Sequence, residues 1–376
     1  MKYEKIKIGD LVILRQGFAI NKKTNHHIST EPTSLHLLRI GDMKDGNFSI
    51  YVKDTIPDKF IAKEDDVIFT RTGQVGLVFR GQRGIVHNNC FTVTTKDNEL
   101  LLQEFIFYAL QEKAFYEEAI SRATGAAQPD LPHGAFSSIP IFLPCIKKQK
   151  KIVDILQAYD DLIENNQKQI KLLEEAAQRL YKEWFVDFRF PGYEDTKFID
   201  NIPEGWRKGT LEDIAVFKRG KTITRAQVHK GDIPVVAGGK EPAYYHNKSN
   251  TASPVITVSA SGNAGFVRLY YQSIWASDCS FLDISETSNL YFIYCYLKYK
   301  QDDIYAMQKG ACQQHVNAKE INSMQLMAPT EKILMDFKDL ITPVFGKINF
   351  MNKQISLSIQ ARDRLLPKLM SGEIEV

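Results

Sequence analysis

Residues 125–144 read GAAQPDLPHGAFSSIPIFLP, and residues 310–329 read GACQQHVNAKEINSMQLMAP. Laid over one another without a gap, they pair Gly125 with Gly310, Ala126 with Ala311, Gln128 with Gln313 and Pro144 with Pro329. Leu131 meets Val316, Phe136 meets Ile321 and Ser138 meets Ser323. The register continues downstream, where Lys168-Gln169-Ile170 falls on Lys353-Gln354-Ile355 and Arg179-Leu180 on Arg364-Leu365. Upstream the likeness thins and the offset drifts. TRTGQVGLVF (70–79) resembles SASGNAGFVR (259–268), with Cys90 then over Cys279, and IGDLVILRQG (8–17) resembles LEDIAVFKRG (211–220). Chance likeness between two α/β domains does not sustain so long a gap-free register. The chain is therefore a two-fold internal repeat, variable at the front of each copy and similar at the back.

The similar parts carry a heptad pattern. Leu156, Ile163, Ile170, Ala177 and Trp184 recur every seven residues, with Tyr159, Asn166, Leu173 and Leu180 as the second series. The later copy keeps the phase with Ile341, Ile348, Ile355 and Leu369, and with Val344, Met351 and Leu365, but it is polar at Ser358 and Arg362. A narrow apolar seam asks for a partner helix, and two copies in one chain predict pairing with each other, antiparallel. A helix of about thirty residues spans roughly 45 Å. Asn166 on the seam is expected to fix register at some cost in stability. Pro343 is expected to kink or start the second helix, because it lacks an N–H. RLYKEWFVDFRFPGYE (179–194) ends the first helix, with Pro191-Gly192 supplying the break and the aromatic residues wedging that end against a domain.

Composition sets the remaining bounds. A length of 376 residues suits two or three domains, and 44% apolar with 25% charged residues can bury real cores. A net charge of +3 gives no global basic field, so any nucleic-acid contact has to come from local patches. The five cysteines (Cys90, Cys145, Cys279, Cys295, Cys312) are scattered, without a C-x-x-C pair, which argues against a disulfide framework and a zinc site. The start has no apolar segment like that of a signal peptide, and the longest apolar run, LYFIYCYL (290–297), is far short of a membrane span. The expectation is a cytoplasmic protein with no membrane association.

The fronts of the two copies read as mixed strands and short helices. DVIFTRTGQVGLVFR and PVITVSASGNAGFVRLYY each read strand, glycine turn, strand. Residues 101–121 and 289–308 each read as an apolar-faced helix. TGAAQPDL and KGACQQHV read as loops that lead into the strand before each closing proline. Catalytic signatures are missing. Gly220-Lys221-Thr222 has Ala215 where a phosphate loop needs glycine, and VVAGGKEP has Pro234 there and Glu241 after the lysine. The eight histidines lack ligand spacing, and there is no G-x-S-x-G elbow, no G-x-G cofactor loop and no Asn/Asp-Pro-Pro-aromatic tetrapeptide. PDKFIAKEDD (57–66) lacks the acidic-x-Lys step of a nuclease and reads as a solvated loop.

Binding chemistry remains. Around the first glycine turn lie Arg71, Thr72, Gln74, Arg80, Arg83, His87, Asn88 and Asn89; around the second lie Ser259, Ser261, Asn263 and Arg268. Arg addresses guanine O6/N7, Asn and Gln address adenine N6/N7, and Ser or Thr reaches either. Lys218, Arg219, Lys221, Arg225 and Lys230 form a segment suited to phosphate contacts, and Lys22 and Lys23 in NKKTNHH serve the first copy likewise. A G-x-x-G between strands is more often a plain hairpin turn, so these residues stand as candidates.

Two such halves resemble the specificity (S) subunit of Type I restriction-modification systems over essentially the whole chain. The likeness is carried by NNQKQIKLLEEAAQRLYKEWFVDFRFPG, by NKQISLSIQARDRLLPKLMSGEI, and by the G-x-x-Q loops at 125–128 and 310–313 with their domain-closing prolines. It implies an α+β, pseudo-twofold chain: two mixed α/β target recognition domains, 1–145 and 191–330, and two long helices, 146–190 and 331–376, forming an intramolecular antiparallel coiled coil. It further implies a subunit without catalysis or a cofactor of its own. Each recognition domain would read one half of a bipartite double-stranded DNA target, and the coil would set the gap. The implied partners are two modification subunits, which supply adenine-N6 methylation from S-adenosylmethionine, and restriction subunits, which supply ATP-driven translocation and cleavage. The alternatives are a component of a DNA methyltransferase or fused restriction enzyme, and a coiled-coil scaffold that binds protein only.

Overall fold

The computed structural model describes residues 4–308 and 315–376. The chain divides into two compact units, residues 1–164 with 356–376, and residues 165–355. The two long helices are Ile146–Phe185 and Glu331–Ser371, and each contributes to both units. The loop Gly310 to Gln313, with Cys312, lies outside the described residues.

The first unit is built on a four-stranded antiparallel sheet in the order Val12–Gln16, Cys90–Thr95, Val67–Thr70, Val78–Phe79. Phe91 lies opposite both Gln16 and Phe69, and Phe69, Phe91 and Phe136 interlock with ring centroids 4.9–5.5 Å apart. A second, five-stranded sheet places Leu35–Leu38 parallel to Gly84–Val86. The strand ahead of Pro144, Pro140–Leu143, pairs antiparallel with Glu4–Lys7.

The second unit repeats the plan. Its four-stranded sheet runs Lys218–Arg219, Cys279–Asp283, Val255–Ser259, Val267–Tyr270. Ile233–Val236 lies parallel to Trp275–Ala276, and Gln325–Ala328, ahead of Pro329, pairs with Arg207–Thr210. Cys90 and Cys279 open equivalent strands and are both fully buried. Burial raises both thiols to about 12, and both are free, as is exposed Cys145.

The likeness between LRQG and FKRG has a structural cause. Gly17 N–H donates to Cys90 O (3.1 Å) and Gly220 N–H to Cys279 O (2.8 Å), and a Cβ at either glycine would collide with a neighbouring carbonyl. The two glycine turns coincide as well. Thr70 N–H bonds Leu77 O and Gly76 N–H bonds Thr70 O, each at 3.0 Å. Ser259 and Phe266, and Gly265 and Ser259, do the same at 3.1 and 2.8 Å. Gly73, Gly76, Gly262 and Gly265 all have positive φ.

Within each unit the long helices pair antiparallel. In the first, Lys148 meets Glu375 and Asp160 meets Arg362, and Ile152, Val153 and Leu156 share a core with Leu366, Leu369 and Met370. In the second, Asn166 reaches Gln354 (3.5 Å), and Trp184 packs edge-on against Phe337. Asn166 is buried on the seam at 3% exposure, so a partner amide stands opposite it rather than a hydrocarbon. Leu156, Ile163, Ala177, Trp184, Ile341, Ile348, Met351 and Leu369 are buried, while Ile170, Leu173, Leu180, Val344 and Leu365 are half-buried. Tyr159 and Ile355 are half-buried too.

Four expectations need correction. The C-terminal helix begins at Glu331, so Pro343 does not start it; the proline sits exposed within the helix, beside Thr342, whose hydroxyl donates to Lys338 O (2.7 Å). The central helix ends at Phe185, before Pro191-Gly192, because Phe188 turns left-handed (φ 57°) and Arg189 N–H reaches back to Glu183 O (2.8 Å). The segments 101–121 and 289–308 are each two helices, Gln103–Gln111 with Lys113–Arg122 and Leu290–Tyr299 with Gln301–Ala306. Glu112 is extended (ψ 133°), which re-aims the following helix so that Phe115 enters the core against Phe136. Helix His133–Ser137 and helix Ala318–Asn322 stand between the two loops and the strands those loops were expected to enter directly.

The aromatic cluster near the middle of the chain does wedge a helix end. Tyr181, Trp184, Phe185 and Phe190 are buried in the second unit's core with Trp206, Phe292 and Phe337. Phe185 meets Phe292 and Phe337 edge-on at 4.8 Å, and Phe190 stacks on Trp206 at 5.2 Å. Side chains of this size each bury about 150–250 Å², which explains why this stretch is so aromatic.

Candidate nucleic-acid interface

The first glycine turn is stitched into its unit from below. Arg71 donates twice to Asp130 (3.1 and 2.6 Å) and once to Gln16 Oε1 (3.0 Å), and the Thr72 hydroxyl donates to Asp130. Gly73 N–H bonds Pro129 O (2.8 Å), so the loop TGAAQPDL serves as the turn's brace. The hydrogen bonds from Arg71 and Thr72 hold the Asp130 carboxyl below its ordinary range. A depressed carboxyl stabilises the fold above the unfolded pKa, and that contribution is lost as pH falls through the folded one.

That bracing sorts the candidates of the first unit. Arg71 and Thr72 shape the turn, leaving Gln74 exposed at its tip. Asn89 is half-buried, and its carbonyl accepts from Arg71 N and Thr72 N (2.8 and 3.2 Å). Asn88 is half-buried as well, and its carbonyl accepts from Gln16 Nε2 (2.6 Å). Burial, then the charge of Arg39, lowers the pKa of His87. Lys22 and Lys23 are exposed in a tight turn closed by Asn21 Oδ1, and Arg83 is exposed.

Arg80 lies elsewhere. Its guanidinium sits 4.1 Å from the Phe107 ring centroid and bonds Asp160 Oδ2 (2.9 Å) and Tyr108 Oη (3.2 Å). Tyr108 donates to Asp160 Oδ2 (2.7 Å) and Arg362 to Asp160 Oδ1 (2.7 Å). Burial, then the bond to Asp160, pushes the Tyr108 phenol up. Arg80 therefore belongs to an ionic node that ties the four-stranded sheet to both long helices. Asp66, in the stretch weighed as a nuclease carboxylate, is likewise structural: it is buried and doubly bonded by Arg15 (2.8 and 2.9 Å).

In the second unit Ser259 is a buried strand end at 3% exposure, turned inward. The Ser261 hydroxyl donates to Asp278, which braces the turn, and Asn263 is exposed at the tip. Arg268 donates to Lys240 O, approaches Glu241 (3.4 Å) and lies over Tyr270. Arg219, Lys221, Arg225 and Lys230 are exposed; Lys218 is exposed and paired with Glu286 (2.7 Å). Lys221 is fixed through its backbone, donating to Ala276 O (2.9 Å) and accepting from Trp275 Nε1 (2.8 Å).

The structure also brings in two lysines that the sequence did not single out. Lys44, on helix Ile40–Asp45, stands beside Gln74, and Lys240 lies in the segment that meets the second turn. Lys240 had a trace in VVAGGKEP, whereas Lys44 had none, since only the fold carries it to the turn. Among the described residues no group of three or more His, Cys, Asp and Glu could hold a metal ion, and no helix is long and apolar enough to cross a membrane.

Two sheet-based units of one plan, each with a braced polar turn, on paired helices define a tandem repeat of recognition-type domains. Residues 1–175 and 203–355 match the Type I restriction modification DNA specificity domain. The chain belongs to that family and is a specificity subunit of a Type I restriction-modification system. It is 27% identical over 339 residues to the MjaIX specificity subunit of Methanocaldococcus jannaschii, covering 82% of this chain and 78% of the relative. It is 21% identical over 405 residues to the HindI specificity subunit of Haemophilus influenzae, covering 83% and 87%. The crystal structure of a Type I restriction-modification S subunit from M. genitalium has the same fold, with a TM-score of 0.63 at 18% identity over 98% of this chain and 96% of that one.

Proposed function

We propose that each unit reads one half of a bipartite DNA target, that the paired helices fix the gap between the halves, and that they dock two modification subunits. The chain itself supplies recognition, while methylation and cleavage belong to its partners. The observation that carries this reading is the repeat at atomic detail: the same braced glycine turn, on the same strand pair, in two units whose surfaces differ. A chain with internal two-fold character presents two reading surfaces to a split site, as a dimer does. Because the surfaces differ, the two half-sites differ.

The ruler is testable through the helix register. Asn166 lies opposite Gln354 in an antiparallel pair, so residues 167–173 and 347–353 face one another. Deleting both heptads preserves the seam's phase and shortens the helices by about 10 Å, or about three base pairs. The expected outcome, read by methylation mapping of the assembled complex, is a gap shorter by about that number with both half-sites intact. An unchanged gap contradicts the spacer role.

A further inference from the structure

Two segments distant in sequence meet at the glycine turn of the first unit. Helix Ile40–Asp45 follows strand Leu35–Leu38, and in its last turn Lys44 brings Nζ to 3.5 Å from Gln74 Oε1. Lys44, Gln74, Thr72 and Asn89 line one open cleft of about 310 Å³. In the second unit the segment after Ile233–Val236, the strand that makes the corresponding parallel pairing, meets the other turn. There Asn263 N–H donates to Gly238 O (2.8 Å), and Gly238 packs so closely on Ser261 that a Cβ has no room. Lys240, two residues on, is exposed and stands 5.9 Å from the Phe266 ring centroid. Each unit thus offers one carboxamide at the tip of a braced turn and one lysine from the segment beside it.

We propose that these two-segment edges are the base-reading elements, Gln74 and Asn263 addressing base edges and Lys44 and Lys240 the flanking phosphates. The inference rests on the reading of the chain as a DNA-recognition subunit. A carboxamide pairs bidentately with adenine, accepting from N6 and donating to N7 in the major groove. An ammonium is a point charge without an acceptor, suited to a phosphate and carrying no sequence information of its own. The bracing matters because a turn already fixed leaves only the amide's own side-chain rotamers to be ordered on binding. Asp130 holds the first turn and Asp278 the second. Each unit consequently reads an A·T pair at the position under its carboxamide.

The test is selection from a pool of random-sequence duplexes by the full chain co-expressed with its modification subunits. Wild type is expected to enrich a split motif. Gln74→Ala is expected to lose the adenine preference at one position of one half-site, by roughly ten- to a hundredfold, and Asn263→Ala to do so in the other half. Gln74→Glu, which keeps the length but not the donor, also loses it. Lys44→Ala and Lys240→Ala keep the motif but bind all sequences more weakly, with a salt slope lower by about one. If wild type enriches a split motif and the Gln74 and Asn263 variants enrich it unchanged, the base-reading assignment is overturned while the recognition function stands. If wild type enriches nothing, the recognition function falls and the assignment with it. The four side chains are exposed, so folding is not at stake.

Discussion

Exchanging residues 1–145 for those of another family member is expected to change one half of the recognised DNA, leaving the other half and the gap as they were. The exchange keeps both long helices and the whole second unit. It carries over the first glycine turn, its Asp130 brace, Lys44 and the Glu4–Lys7/Pro140–Leu143 pairing as one set. Several contacts cross the junction: Gln149 bonds Leu102 N, Leu100 O and Pro144 O, Ile152, Val153 and Leu156 pack in the first unit's core, and Arg80 and Tyr108 both bond Asp160, which stays with the recipient. A donor with arginine and tyrosine at those places keeps the node. Methylation mapping of the chimaera is the readout, and a change in both half-sites contradicts the modular assignment.

The node itself sets the second expectation. Asp160 accepts from Arg80, Tyr108 and Arg362, with side-chain exposures of 16% for Asp160, 24% for Arg80 and 25% for Arg362. Asp160→Ala leaves two guanidinium groups and a phenol facing one another without their shared acceptor. Breaking a fully buried ionic pair costs about 3–5 kcal/mol, and partial solvation lowers the expected loss here to about 2–4 kcal/mol. The repeat supplies the control. In the second unit the places of Asp160 and Arg362 are taken by Phe345 and Ala177, with Tyr291 stacked on Phe345 at 4.5 Å, and Leu269 stands where Arg80 does. A triple variant carrying Asp160→Phe, Arg362→Ala and Arg80→Leu is therefore expected to lie within about 1 kcal/mol of wild type, since an apolar layer of similar volume often replaces a buried ionic one without loss. Chemical denaturation of the full chain decides. If Asp160→Ala costs less than the triple variant, the node does not hold the sheet to the helices.

The two long helices were legible because the 3.5-residue period survives in both copies, and so were the glycine turns, where only residues that tolerate positive φ fit. The end of the central helix and the place of Pro343 were not. Pro343 and Pro191-Gly192 are strong local signals, but packing of Ile333 and Phe337 carries the C-terminal helix twelve residues upstream of Pro343. The breaks at Glu112 and Lys300 let Phe115 enter the core against Phe69 and Phe136 and bury Ile304 beside Gly265, tertiary contacts that no local pattern records. Arg80 looked like a base contact because an arginine beside a glycine turn suits one. Its partners, Phe107, Tyr108 and Asp160, come from two other elements, helices Gln103–Gln111 and Ile146–Phe185. Lys44 was invisible for the same reason in reverse, because nothing near it in sequence marks it as a neighbour of Gln74.

The most direct measurement is base-resolution adenine methylation mapping in cells that express the modification subunits, with and without this gene. The account predicts that methylation disappears at one split motif, two short and different half-sites around a fixed gap, when the gene is removed. A methylome that is identical in both strains would contradict it.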